Sequence, residues 1–158
     1  MIMLSTILGT IADAEMAKQG SGSYRSSKTT TFNVLAMGNE RAQMNIEQLG
    51  VVMTAPEDSP LYNASFRCIG TLHAIKGKHN GSGFIVYTNP NDDKIYATFE
   101  AEGVIGGAHK AKLTFVGGTG ACTGIQGTLE LAGNSGIKSS KKGTSFGISE
   151  GTFNWKIP

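Results

Sequence analysis

Charge, cysteine and proline are all scarce in this 158-residue chain, and each scarcity excludes something. Asp, Glu, Lys and Arg together make up 16% of it, against roughly 25% in an ordinary globular domain. The formal net charge is only +2, too small to draw a nucleic acid or an acidic membrane surface by charge alone. Lys138, Lys141 and Lys142 do cluster, but no aromatic residue interleaves there to stack a base, so the segment reads as a solvated loop. No run reaches the ~20 apolar residues that a membrane-spanning helix requires. His73, His79 and His109 share no ligand spacing with one another or with the cysteines, so no metal site is expected. Gly-Lys-Ser/Thr is absent, which excludes a Walker loop, and Gly81-Ser82-Gly83 reads as a turn, not a nucleophile elbow. No cofactor is expected.

The two cysteines, Cys68 and Cys122, leave two readings open. They could form a disulfide closing a long loop, as in an exported protein, or be buried thiols acting as small apolar fillers. Their separation in sequence decides nothing, because pairing needs Cα atoms within about 7 Å. The N-terminus is equally two-sided. Met1–Ile11 is apolar enough for the core of an export signal, and Ala12-Asp13-Ala14 fits a small-x-small cleavage site, although no Lys or Arg precedes the apolar run. Alternatively Leu4, Ile7, Leu8 and Ile11 form one stripe of a short helix capped by Ser5 and ended by Lys18 and Gly20. Export, to the periplasm or the medium, is the preferred reading; a retained helix over residues 1–20 would place the protein in the cytoplasm.

What the chain does have is glycine and period-two alternation. Glycine, at 22 residues, is about twice its usual share of roughly 7%. From Ser21 on the apolar residues alternate. Tyr62, Ala64, Phe66, Cys68, Gly70, Leu72 and Ala74 share one face, with Asn63, Ser65, Arg67, Thr71 and His73 on the other, the pattern of a half-buried antiparallel strand. Gly83–Thr88 and Lys94–Ala101 flank Asn89-Pro-Asn-Asp-Asp93, a hairpin loop. Further strands are expected at Tyr24–Met37, Ala42–Thr54, Lys110–Val116, Gly124–Leu131 and Ser145–Ile157. Two of the four prolines sit in Ala55–Pro60 and exclude a central strand there, and Gly133–Gly143 reads as a second long loop. In the last strand the apolar phase slips between Phe146/Ile148 and Phe153/Trp155/Ile157, so a bulge is expected at Glu150-Gly151. About eight strands in one sheet hide their edges most simply by closing into a barrel. The expected fold is therefore all-β: one antiparallel barrel over residues 21–158, with a short N-terminal helix or signal segment.

The densest glycine stretch is Phe115-Val-Gly-Gly-Thr-Gly-Ala-Cys-Thr-Gly-Ile-Gln-Gly127. A dinucleotide fingerprint would need its third glycine one residue before Gly124 and a helix beyond it. The strand-like Gly124–Leu131 follows instead, so the segment is a tight turn between neighbouring strands. It resembles the F-x-G-G-T-G-x-x-x-G-x-x-G segment of the allene oxide cyclase and dirigent-like β-barrels, and of small bacterial exported proteins that carry the same segment. The specific match covers about thirteen residues. The resemblance implies an eight-stranded barrel with a central apolar cavity, assembled as trimers in plant members. The acidic and tyrosine residues of dirigent and cyclase sites have no matching positions here, so no catalytic residue is transferred.

Among the ionisable residues, Tyr96, Thr98, Glu100 and Glu102 share a face, and the two carboxylates lie roughly 6.5 Å apart along the strand; a solvated outer face explains them best. Glu47, Arg67, His73 and Tyr87 also sit at strand positions and are the candidate ligand-binding residues, because an inward charge must be paired or functional. Arg67 with Glu47 is the preferred pair, since consecutive strands usually neighbour each other; a surface ion pair is the plainer account of it. The function expected is a non-enzymatic barrel that binds a small apolar ligand or self-assembles as a homo-oligomer. The alternative is a cofactor-free cyclase or isomerase acting on a lipid-like substrate.

Overall fold

The computed structural model describes residues 15–158. Eight strands follow one another: β1 (Gln19–Ala36), β2 (Arg41–Thr54), β3 (Ser65–Ile75), β4 (Lys78–Thr88), β5 (Lys94–Val104), β6 (Ala108–Gly118), β7 (Gln126–Lys138) and β8 (Thr144–Lys156). Each pairs antiparallel with the next, and β8 returns to β1, closing the barrel. Among the described residues no edge strand is left to template aggregation. The expected eight-stranded antiparallel barrel is the observed one.

Closure sorts the residues by parity. On β1 the inward positions are Tyr24, Ser26, Lys28, Thr30 and Phe32; on β3 they are Phe66, Cys68, Leu72 and Ala74. The alternation read for β3 from sequence holds, although the strand itself begins at Ser65 and the residues before it form a turn. The candidate helix or signal over residues 1–14 lies outside the described residues. Its expected C-terminal end does not: Gln19 and Gly20 already pair with Lys156 and Trp155, so strand begins before Ser21.

Three local expectations need correction. Gly81-Ser82-Gly83 is no turn but the middle of β4, paired with β3 and β5. Gly133–Gly143 is only partly loop, because β7 runs on to Lys138 with a register shift between Asn134 and Ile137. Glu150-Gly151 carries no bulge: β8 keeps unbroken register with β1, pairing Glu150 with Arg25 and Gly151 with Tyr24. The phase slip is real, but Phe146 and Ile148 simply face outward, and the inward positions of that half of β8 are Gly147, Ser149 and Gly151. Small residues stand where a core side chain was expected.

The two ends of the barrel differ. At one end the 55–64 loop brings Leu61 and Ala64 into the interior, where Cys122, Ile125, Phe153, Trp155 and Ile157 are buried with them. Phe153 and Trp155 stack with centroids 5.2 Å apart, and Trp155 Nε1 donates to the Ala17 carbonyl at 2.9 Å. The glycine segment belongs to this closed end. It holds a short 3-10 turn, Gly120–Cys122, whose Ala121 N–H donates to Asp93 Oδ2 at 3.2 Å. The donor that a phosphate would need is thus taken by the protein's own carboxylate. Gly120 has φ +52°, and a Cβ added there would fall on the Asp93 carboxylate.

Gly120→Ala is therefore expected to destabilise the barrel by about 2 kcal/mol, from left-handed strain and displacement of Asp93. Urea unfolding checks this; an unchanged midpoint would contradict the assigned role of the loop.

Candidate functional site

Between the closed end and the hairpin turns at the other end, the interior is not filled. A cavity of about 650 Å³ runs from Tyr24 and Tyr87 out to Val34, Val104, Ile105 and the 138–145 segment. Most of its wall is apolar, built from Met44, Ile46, Phe66, Leu72, Ile85, Phe99, Leu113 and Leu131. The polar part is concentrated where β1 meets β8 and on β6: Ser26, Lys28, Thr30, Ser149 and His109, all buried.

Lys28 is the centre of that stripe and is only 9% exposed. Its Nζ donates to Ser149 Oγ at 2.8 Å and to His109 Nε2 at 3.1 Å. Accepting at Nε2 requires the proton on Nδ1, and Nδ1 lies 3.3 Å from Ser135 Oγ, which can accept it. Gly147 is the cross-strand neighbour of Lys28, and a Cβ there would stand 3.2 Å from Lys28 Cε. The missing side chain on β8 is the space the lysine stem occupies.

Burial sets the ionisation of the cavity. Desolvation lowers Lys28 from an ordinary 10.5 to about 8, with a small opposing influence from Cys68. His109 is lowered to about 4 by burial first and by the neighbouring Lys28 charge second. Burial raises Cys68 to about 12 and raises both Tyr24 and Tyr87, whose hydroxyls lie 3.4 Å apart. At neutral pH His109, Cys68 and both tyrosines are uncharged, while Lys28 is about nine-tenths protonated. Among the described residues, no Asp or Glu lines the cavity. Three buried polar atoms on its wall, His79 Nδ1, Thr144 Oγ1 and Ser145 Oγ, also have no hydrogen-bond partner among the described residues.

Of the residues singled out from sequence, Tyr87 faces the cavity. Glu47 and Arg67 do pair, at 2.7 Å, but outside the barrel, where both side chains are exposed. His73 is outward on β3, Glu100 and Glu102 outward on β5. These five positions have the odd or even parity that puts them on the solvent face, so Glu47 and Arg67 form the surface ion pair that was the plainer account of them, and neither they nor His73 line the cavity. Cys68 and Cys122 are free thiols: Cys68 lines the cavity, whereas Cys122 packs beside Gly118 at the closed end. The disulfide option fails and the buried-filler option holds. Lys28, His109 and Ser149 were missed. A signal existed for Lys28, which shares the parity of Tyr24 and Phe32, and for His109, in phase with Leu113 and Phe115. Gly147-Ile-Ser-Glu-Gly151 even spells Gly-x-Ser-x-Gly. Here it lies along a strand paired on both sides, so the neighbouring backbone N–H groups serve the ladders and offer no oxyanion hole of the kind an elbow provides.

The sequence matches no family model and no curated protein. Among solved structures it is similar to the pterocarpan synthase dirigent protein GePTS1, with a TM-score of 0.54 and 12% identity over 99% of this chain and 98% of that one. The fold is a dirigent-like barrel. At that identity the likeness speaks for architecture, and the cavity's chemistry has to be read from its own residues.

A lysine whose pKa falls on folding makes the folded chain bind fewer protons than the unfolded chain between pH 8 and 10.5. Its penalty on stability is complete below pH 8 and is relieved as pH rises towards 10.5. Relative to Lys28→Met, the parent should gain about 3 kcal/mol between pH 7 and pH 10.5. Denaturant unfolding of both proteins at the two pH values measures this, and a pH-independent difference would contradict the desolvated lysine.

Proposed function

We propose that this chain is a non-enzymatic barrel that binds one small, largely apolar molecule in its cavity. The observation that carries the reading is the lining. An apolar wall encloses about 650 Å³, within the ~300–1,000 Å³ usual for small-molecule sites, and a few polar groups converge on it. The unpartnered His79 Nδ1, Thr144 Oγ1 and Ser145 Oγ support it further, because an unsatisfied buried polar atom costs about 1–3 kcal/mol that a ligand would relieve. The similar dirigent protein is named a pterocarpan synthase; a name of that kind agrees with a small-molecule partner and speaks for the enzymatic alternative as much as for binding. The cyclase or isomerase alternative called for Glu47, Arg67, His73 or Tyr87 pointing into the barrel. Tyr87 meets that condition and supports the alternative, while Glu47, Arg67 and His73 lie outside and add nothing to it. Export to the periplasm or medium, with cleavage after Ala14, belongs to the same proposal.

Self-assembly is a second reading, favoured by the outer face of β2–β4. Ile69 and Phe84 are direct cross-strand partners and are 52% and 69% exposed, with Leu49 exposed on the neighbouring strand β2. An exposed apolar patch of this kind marks an interaction surface more often than a chance cluster.

Native mass spectrometry of the purified protein with dodecanol tests both. One retained dodecanol per subunit is expected, lost in Ala111→Trp, which places an indole in the cavity; cooperative unfolding of the variant checks its fold. An empty parent would contradict the binding reading. The same spectra give the mature N-terminus and the subunit number, and a strict monomer removes self-assembly.

A further inference from the structure

We infer that the molecule bound in the cavity carries a single carboxylate, which Lys28 receives at mid-barrel while Ser149 and His109 hold the ammonium in place. The inference rests on the binding reading above and adds the ligand's chemical class. An ammonium has three donors. Two go to Ser149 Oγ and His109 Nε2, which leaves one for the cavity.

Among the described residues, the surroundings of Lys28 supply no counter-charge. β6 presents His109 and Leu113, β8 presents Ser149 and Gly147, β2 presents Gln48, and β3 presents Cys68. β4 presents His79 and Tyr87, and β1 itself presents Tyr24 and Thr30. Gln48 is occupied in donating to Thr30. None of these is a carboxylate, and His109 and Cys68 are held neutral by burial. A buried cation without a partner is a strongly unfavourable arrangement, and one that a matching anion removes. The mouth has the same sign: Lys138, Lys141 and Lys142 line it with no acidic residue among them, so the field there draws an anion inward. One interior positive charge matches one negative charge, which fits a carboxylate better than a doubly charged phosphate. The apolar wall opposite β1 and β8 then takes the hydrocarbon. The ligand is thus an amphiphile whose acidic end is buried, not one whose acid stays at the mouth in water.

Isothermal titration calorimetry of the full chain with dodecanoate and with dodecanol separates this inference from the reading beneath it. At pH 7 the parent should bind dodecanoate at least about tenfold tighter than dodecanol, as expected for a buried charge-assisted hydrogen bond. Lys28→Met should lower dodecanoate affinity by about tenfold or more and dodecanol affinity by distinctly less, so that the preference for dodecanoate is lost. Equal affinity of the parent for both probes would overturn the carboxylate while sparing the binding reading. Retention of tight dodecanoate binding by Lys28→Met would overturn it too, by assigning the anion to the mouth lysines. Binding of neither probe would overturn both readings together.

Discussion

Once β8 has paired with β1, every second side chain of eight strands faces one shared interior, and that interior must be packed, lined or wetted. The closed end satisfies the constraint with Leu61, Ile125, Phe153 and Trp155. The other half cannot, because Gly147, Ser149, Ser26 and Thr30 are too small to meet across the barrel. Lys28 enters the space they leave, and among the described residues no carboxylate of the wall balances its buried ammonium.

That arrangement works against stability. A lysine at this depth gives up most of its hydration, and its two hydrogen bonds to neutral partners return only part of it. A hydrophobic side chain would serve the fold better, so the polar stripe is where local consistency yields to something else. The unpartnered histidine and hydroxyl atoms near the mouth point the same way. By contrast the exposed ion pairs, such as Glu47 with Arg67, are of the kind worth about 0–1 kcal/mol and decide little.

The barrel was legible because closure and alternation are properties of whole strands. Phe66, Cys68, Leu72 and Ala74 announce a face, and the glycine turn of residues 115–127 announces a reversal, whatever lies elsewhere. The site was not legible in the same way. Glu47, Arg67 and His73 were chosen for their chemistry, yet parity sets them outside; Tyr87 alone had both chemistry and parity. Lys28 sits between serines and threonines in Ser26-Ser-Lys-Thr-Thr30, where low hydrophobicity hides which face is inward. The slip in β8 was visible too, but it suggested a bulge at Glu150-Gly151, whereas β8 keeps its register and Ser149 lines the cavity. Hydrogen bonds that join β1 to β6 and β8 across 81 and 121 residues leave no periodic trace in one sequence.

The central claim is that Lys28 is a desolvated ammonium facing an apolar cavity. Its side-chain titration by nuclear magnetic resonance, with the Lys28→Met spectrum assigning the signal, tests this most directly. A midpoint near the value of about 8 set by burial is the predicted result. A midpoint at an ordinary lysine's 10.5, together with the surface lysines, would contradict it.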